Sequence, residues 1–187
     1  MIRLLLAVSL VVAGCEEPKS TTILEDISID SFHGFDSDAA WSYRDDGVLD
    51  EPPEDGQLLR ARYVGNGVLD LRRGTRWADS SRTAEIGFFL DDVFSIIDWS
   101  LGPYEGSGDL PLGKSRLIEG DTVDEGDWSC VTNRKIVVET YYGIFPDVIQ
   151  FECEGSSGPE GLWTFANGLG LVAYEGPEYS LSLVAPW

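Results

Sequence analysis

The sequence predicts a mainly β protein with a single antiparallel sheet of about ten strands, forming a curved half-barrel, a barrel or a sandwich. Three observations favour this fold class. Glycine is frequent, with 21 residues in a chain of 187. Short runs of β-branched and aromatic residues recur between turn signals, which is the pattern of strands. Long stretches with the apolar period of an amphipathic helix are missing.

The first 14 residues predict an export signal that lies outside the fold. Arg3 precedes an apolar run that ends at Val12, shorter than the roughly 20 residues that a membrane-spanning helix needs. The segment Val12-Ala13-Gly14-Cys15 resembles the lipobox of bacterial lipoproteins. This resemblance implies that Cys15 is acylated and becomes the first mature residue. The alternative is an ordinary secreted protein with an unrelated cysteine.

The expected organisation is a signal peptide over 1–14, a lipidated N-terminus and tether over 15–24, and a β domain over 25–187. By the lipobox resemblance, the protein is expected in the bacterial cell envelope, held to a membrane by its N-terminal lipid. In lipoproteins an aspartate after the cysteine commonly signals retention in the inner membrane. Glu16 stands at that position, which favours the outer membrane.

The composition predicts a folded and strongly acidic protein. Lys and Arg total 13 against 33 Asp and Glu, for a net charge of −20. Loss of Arg3 with the signal peptide leaves 12 − 33 = −21, a charge that repels nucleic acid and anionic membrane. Six Trp, seven Tyr and eight Phe argue against disorder, because these rings need a core to pack into. We expect a monomer.

The two remaining cysteines, Cys130 and Cys153, predict a disulfide in an oxidising compartment. A metal-binding pair would lack a third ligand, since His33 is the only histidine. A flat meander with a separate strand at 135–141 between them would place the cysteines about 9.6 Å apart. A bridge needs Cα atoms within about 7 Å, so we expect a connection other than a meander. Neighbouring end strands, a bridge at a loop or across two layers, and free thiols stay open as alternatives.

The clearest strand signal is a hairpin over 58–73. Leu59, Ala61 and Tyr63 alternate with arginines, and Asn66-Gly67 suits a tight hairpin turn. Further along, 84–102 fits either two strands separated by Asp91-Asp92 or one short helix, and 102–113 is expected to be a loop rich in Gly and Pro. Strands are expected at 136–138 and 148–151, and three more near the C-terminus, with turns at Asn167-Gly168 and Gly176-Pro177.

Three segments resemble those of poorly characterised bacterial envelope lipoproteins: Trp41-Ser42-Tyr43, Gly143-Ile144-Phe145-Pro146-Asp147, and Phe165-Ala166-Asn167-Gly168-Leu169-Gly170-Leu171-Val172. The resemblance covers the last third of the chain best. It implies an all-β envelope lipoprotein and carries over no catalytic residue.

The candidate chemistry is sparse. Gly168-x-Gly170 leads into a strand, so it predicts a turn and not a phosphate-binding loop. A Ser-His-Asp site would have to use His33, and the chain has no Gly-x-Ser-x-Gly segment. Calcium needs six to eight oxygen ligands, and two acidic clusters are weak candidates to supply them: Asp36, Asp38, Asp45 and Asp46, and separately Glu119, Asp121, Asp124, Glu125 and Asp127.

The favoured hypothesis is therefore a lipid-anchored, non-catalytic binding or interaction module without a cofactor. Its ligand would be an envelope protein, a lipid or a glycan, and one version is a half-barrel with an open apolar concave face. The first alternative is an envelope hydrolase that acts on wall or polysaccharide with a pair of carboxylates. The second alternative is a structural module stabilised by calcium. Most tryptophans, including Trp41, Trp128 and Trp163, are expected in the core.

Overall fold

The computed structural model describes residues 23–28, 40–45, 58–64, 67–73, 81–140 and 142–186. These residues form fourteen strands: β1 (Ile23–Ser28), β2 (Ala40–Arg44), β3 (Leu58–Tyr63), β4 (Val68–Arg73), β5 (Ser81–Leu90), β6 (Val93–Leu101), β7 (Tyr104–Lys114), β8 (Arg116–Ile118), β9 (Thr122–Glu125), β10 (Trp128–Thr140), β11 (Gly143–Glu154), β12 (Gly161–Ala166), β13 (Gly170–Glu175) and β14 (Ser180–Pro186). No helix in the described part of the chain is long and apolar enough to cross a membrane.

Twelve strands form one antiparallel sheet in the order β7-β6-β5-β4-β3-β2-β14-β13-β12-β11-β10-β9, and β1 pairs separately with β8. Within the large sheet, every neighbour follows its partner in sequence except β2 and β14. The two ends of this sheet, β7 and β9, approach each other across a seam, where Trp128 Nε1 donates a hydrogen bond to the carbonyl oxygen of Pro111 at 2.8 Å. The sheet is therefore nearly closed and barrel-like, which confirms the predicted fold class.

Aromatic side chains fill the interior between the two sides of this sheet. Phe88 on β5 and Phe94 on β6 face Phe165 on β12, with ring centroids 5.7 and 5.3 Å apart. Phe151 and Trp163 complete the same cluster, and all five side chains are buried. This packing counts against the version of the binding hypothesis that has an open apolar concave face. Trp41, Trp128 and Trp163 belong to the core or pack against it, as expected.

The predicted hairpins are confirmed where the structure describes them. Leu59, Ala61 and Tyr63 are buried and alternate with arginines on the other face. Asp91 and Asp92 separate two strands, so the helix alternative for 84–102 is wrong. The three C-terminal strands are β12, β13 and β14, with turns at both of the expected places.

The expected loop over 102–113 is wrong, because most of it forms β7. The Trp99 ring on β6 packs against Gly106, where an added Cβ would lie 2.6 Å from the ring, so this position of the strand has no room for a larger residue. Pro111 lies on an edge strand, where a residue without an N–H group can be accommodated because no further strand of the sheet needs that donor.

The expected connection between the cysteines is also wrong. Residues 128–140 form one continuous strand, so Cys130 lies in the same strand as 135–140 and directly opposite Cys153 of β11 in a simple hairpin. The Cα atoms are 4.1 Å apart and the sulfur atoms lie at disulfide distance. The pair therefore fits the first alternative, in which the two strands are neighbours.

The barrel has two ends of different character. One end carries the turns after β3, β5, β10 and β12, and we call it the apolar end. The other end carries the turns after β6, β9, β11 and β13, and we call it the acidic end because Glu125, Asp127, Glu154, Glu175 and Glu178 are exposed there.

Candidate functional site

A groove on the outer face of β10, β11 and β12 is the best candidate for a binding site. It has a volume of about 540 Å³ and is lined by Asn133, Gln150, Glu152, Cys153, Glu154, Glu160, Gly161, Leu162 and Pro177. The strand register explains this surface, because alternate residues of β11 face outward while Ile149, Phe151 and Cys153 face the core.

Amide side chains form the floor of the groove. Asn133 of β10 lies opposite Gln150 of β11, which in turn lies opposite Thr164 of β12. Gln150 Nε2 donates a hydrogen bond to Thr164 Oγ1 at 3.0 Å, and both side chains are buried. The floor is therefore polar, and the hydrogen bond to Thr164 orients the amide of Gln150.

Three glutamates give the groove a negative potential. Glu152 and Glu154 are exposed and project from the same face of β11, and Glu160 lies immediately before β12. No lysine or arginine is among the described residues that line the groove. A concave surface lined by one sign of charge concentrates ions of the opposite sign.

Three features hold the side of the groove formed by β11 and the start of β12 in place. The cysteine pair joins β10 to β11 immediately beside Glu152 and Glu154. Gly161 has φ 136, and a Cβ there would lie 2.3 Å from the carbonyl oxygen of Glu175. Tyr174 donates a hydrogen bond to the backbone carbonyl of Glu160 at 2.9 Å. Burial, followed by the nearby Tyr104 and Glu160, raises the pKa of Tyr174 above its ordinary value.

A second groove of about 730 Å³ lies along the seam between β7 and β9. Asp109, Asp124 and Glu125 line it together with Lys114, whose Nζ lies 2.8 Å from Asp121 Oδ2. This ion pair bridges the segments on either side of the seam, and its exposure makes it a weak contribution to stability.

The calcium candidates are not gathered around one point. Asp121 pairs with Lys114, and Asp127 accepts hydrogen bonds from the hydroxyls of Ser156 and Ser157. Within the part of the chain that the structure describes, no three His, Cys, Asp or Glu side chains are placed to hold one metal ion. In the other candidate cluster Asp45 pairs with Arg73, while Asp36, Asp38 and Asp46 lie outside the described residues. The structure thus gives no support to a calcium site at 119–127.

The catalytic alternatives gain no support from the described residues. The hydroxyls of Ser156 and Ser157 lower the pKa of Asp127, which is opposite to the raised pKa that a carboxylic acid catalyst needs. The hydrolase hypothesis stays a prediction. Cys15 and His33 lie outside the described residues, so the lipidation and Ser-His-Asp hypotheses stay predictions as well.

One stretch of the sequence indicates part of this groove. In Val148-Ile149-Gln150-Phe151-Glu152-Cys153-Glu154, polar residues alternate with buried ones over the second half of the strand. That alternation indicates an outward polar row, but only the sheet order places Asn133 and Glu160 beside it.

No protein-family model, no curated protein and no solved structure matches this chain.

Proposed function

We propose that this protein is a lipid-anchored, non-catalytic binding module of the bacterial cell envelope, and that its groove binds a cationic partner. The observation that supports binding is the groove lined by Glu152, Glu154 and Glu160, whose floor holds the hydrogen-bonded amide of Gln150. The observation that supports the location in the cell envelope is the lipobox-like segment ending at Cys15.

The charge of the groove favours a partner that presents amines or guanidinium groups. Lysine and arginine side chains form charge-assisted hydrogen bonds with carboxylates, and the amides of Asn133 and Gln150 supply further donors and acceptors. The net charge of −20 adds a long-range attraction that accelerates encounter with such a partner at low ionic strength.

The binding test compares two variants of the full chain with the same net charge. Glu152→Gln with Glu154→Gln removes two carboxylates from the groove, while Asp98→Asn with Glu105→Gln removes two exposed carboxylates from β6 and β7. Each variant carries −20 + 2 = −18. The probe is a fluorescent tetralysine peptide, whose affinity is measured by anisotropy at several salt concentrations.

The groove variant is expected to bind the peptide about fivefold more weakly than the control variant, because each exposed ion pair contributes up to about 1 kcal/mol. Equal weakening in both variants would show that only the overall field attracts the peptide, and the groove would lose its proposed role. Mass spectrometry of the mature N-terminus tests the anchor separately, since an unmodified Cys15 thiol would refute it.

A further inference from the structure

Large exposed apolar side chains are concentrated at the apolar end of the barrel. Among the described residues, Val64 is 50% exposed, Phe89 51%, Val137 54%, Tyr142 39% and Ile144 64%. Four of them lie at or next to the turns after β3, β5 and β10, and Val137 lies in the last turn-proximal part of β10, opposite Pro146 of β11. Leu58, exposed to a similar degree, lies at the opposite end, at the start of β3.

The hairpin of β10 and β11 carries three of these side chains beyond the rest of the sheet. β9 pairs with β10 only as far as Val131, and β12 pairs with β11 only from Val148 onward. The segments 135–140 and 143–147 therefore form a two-stranded ribbon. Alternation places Val137 and Ile144 on one exposed face of this ribbon, and on the other face Phe145 stacks on Tyr142 with ring centroids 5.6 Å apart.

The N-terminal segment reaches the barrel at this same end. Ile23 of β1 pairs with Ile118 of β8, and β8 follows the end of β7, where the N–H of Ser115 donates to the carbonyl oxygen of Asp92 at 2.9 Å. Asp92 belongs to the turn after β5. Seven residues lie between Cys15 and Ile23, and the eight Cα-to-Cα steps from Cys15 to Ile23 span at most about 28 Å when the chain is extended. A lipid on Cys15 would thus hold the apolar end, and not the acidic end, close to the bilayer.

The charged residues at the two ends of the barrel favour the same orientation. The acidic end exposes Glu125, Glu154 and Glu175, which an anionic leaflet would repel. The apolar end carries exposed charges of both signs, with Asp91, Asp92 and Glu139 beside Lys114 and Arg116, and a zwitterionic phospholipid surface presents charges of both signs as well.

The geometry points to a membrane-facing role for the apolar end: its exposed side chains contact a zwitterionic phospholipid surface, and the acidic groove faces away from that surface. This inference rests on the lipid anchor of the proposed function. It deepens that function by giving the anchored protein an orientation. Partly exposed aromatic and aliphatic side chains gain free energy when they leave water for the interfacial region of a bilayer.

The test introduces the photocrosslinking residue p-benzoylphenylalanine into the full chain in place of Phe89, Ile144 or Leu58, one position at a time. The chains are expressed in bacterial cells and irradiated in the intact envelope, and the purified protein is analysed by mass spectrometry. Leu58 is the matched control, because it is an exposed apolar residue at the other end of the barrel. The same spectra report whether Cys15 is acylated.

The expected result is phospholipid adducts at positions 89 and 144, no phospholipid adduct at position 58, and an acylated Cys15. Acylation with equal adducts at all three positions, or with protein adducts instead of lipid adducts at Phe89 and Ile144, overturns the orientation and leaves the anchor standing. Lipid adducts at Phe89 and Ile144 without acylation refute the anchor and support a membrane-facing end. A chain with neither acylation nor lipid adducts overturns both.

Discussion

Replacing Gly113 by alanine is expected to destabilise the protein, because β7 packs tightly against the opposite side of the seam at this residue. An added Cβ would lie 2.5 Å from Cε1 of Phe151 and 3.2 Å from Oγ1 of Thr132. Phe151 is fully buried among other rings, so it has no open space into which it can move.

The size of the effect follows from two opposing contributions. Inserting a methyl group into a well-packed core costs about 1–3 kcal/mol. Replacing glycine by alanine also restricts the unfolded chain, which returns about 0.4–1 kcal/mol. A net loss of about 1–2 kcal/mol corresponds to a fall in Tm of about 2–8 °C for a chain of this size.

The matched control is Gly108→Ala, which makes the same chemical change in the same strand. The nearest atom to its added Cβ is Cη2 of Trp99 at 3.7 Å, an ordinary van der Waals contact. This variant is expected to be as stable as the wild type or up to about 1 kcal/mol more stable. Urea unfolding followed by tryptophan fluorescence measures both variants.

Equal stabilities of the two variants would refute the packing of β7 against β10 and β11. A double-mutant cycle sharpens the test. Phe151→Leu removes the ring that clashes with the new methyl group, so it is expected to cost less in the Gly113→Ala background than in the wild type. Additive effects would mean that the two residues are not in contact.

Two further predictions concern the cysteines and the buried tyrosines. Replacing Cys130 and Cys153 by serine is expected to lower the free energy of unfolding by about 3 kcal/mol, because the pair closes a loop with a sequence separation of 23; a loss below about 0.5 kcal/mol in urea unfolding would contradict a bridge. Burial raises the pKa of the Tyr43 and Tyr63 hydroxyls above their ordinary value of 10.0, so the unfolded chain releases these protons first, and stability falls as the pH rises above about 10, by up to about 1.4 kcal/mol per pH unit for each tyrosine. Urea unfolding between about pH 9 and 11 measures this slope, and a flat profile would show that these tyrosines ionise equally well in the folded state.

The all-β fold class and most strands were predictable because strand periodicity and turn chemistry are local. Leu59, Ala61 and Tyr63 carry the two-residue alternation in their own sequence, and Gly67 adopts the positive φ of 74° that suits the expected hairpin turn. The same local reasoning failed for β7. Gly106 packs against Trp99, Gly113 packs against Phe151, and the edge position tolerates Pro111, and none of these contacts is visible within the segment itself.

The candidate site was predictable only in part. The register of β10 against β11 decides which residues lie on the same face as Cys153 and which lie on the opposite face. This register depends on β10 being one continuous strand, whereas the strand propensities alone indicated two separate segments there. The acidic residues of 119–127 looked like one cluster in sequence, yet strand alternation and the seam separate Asp121 from Asp127 and give each its own partner.

The sequence by itself determined the properties that depend on neighbouring residues: most strands and turns, the acidic composition and the lipobox-like segment before Cys15. Tertiary structure alone decided which distant residues meet. It paired β2 with β14, brought β7 close to β9 and β10, placed Glu160 beside Glu152, and set Phe89 and Ile144 at the end where β1 joins the barrel. The physical reason is that local preferences fix the conformation of a segment, whereas the order of strands depends on burying the apolar faces of all segments together.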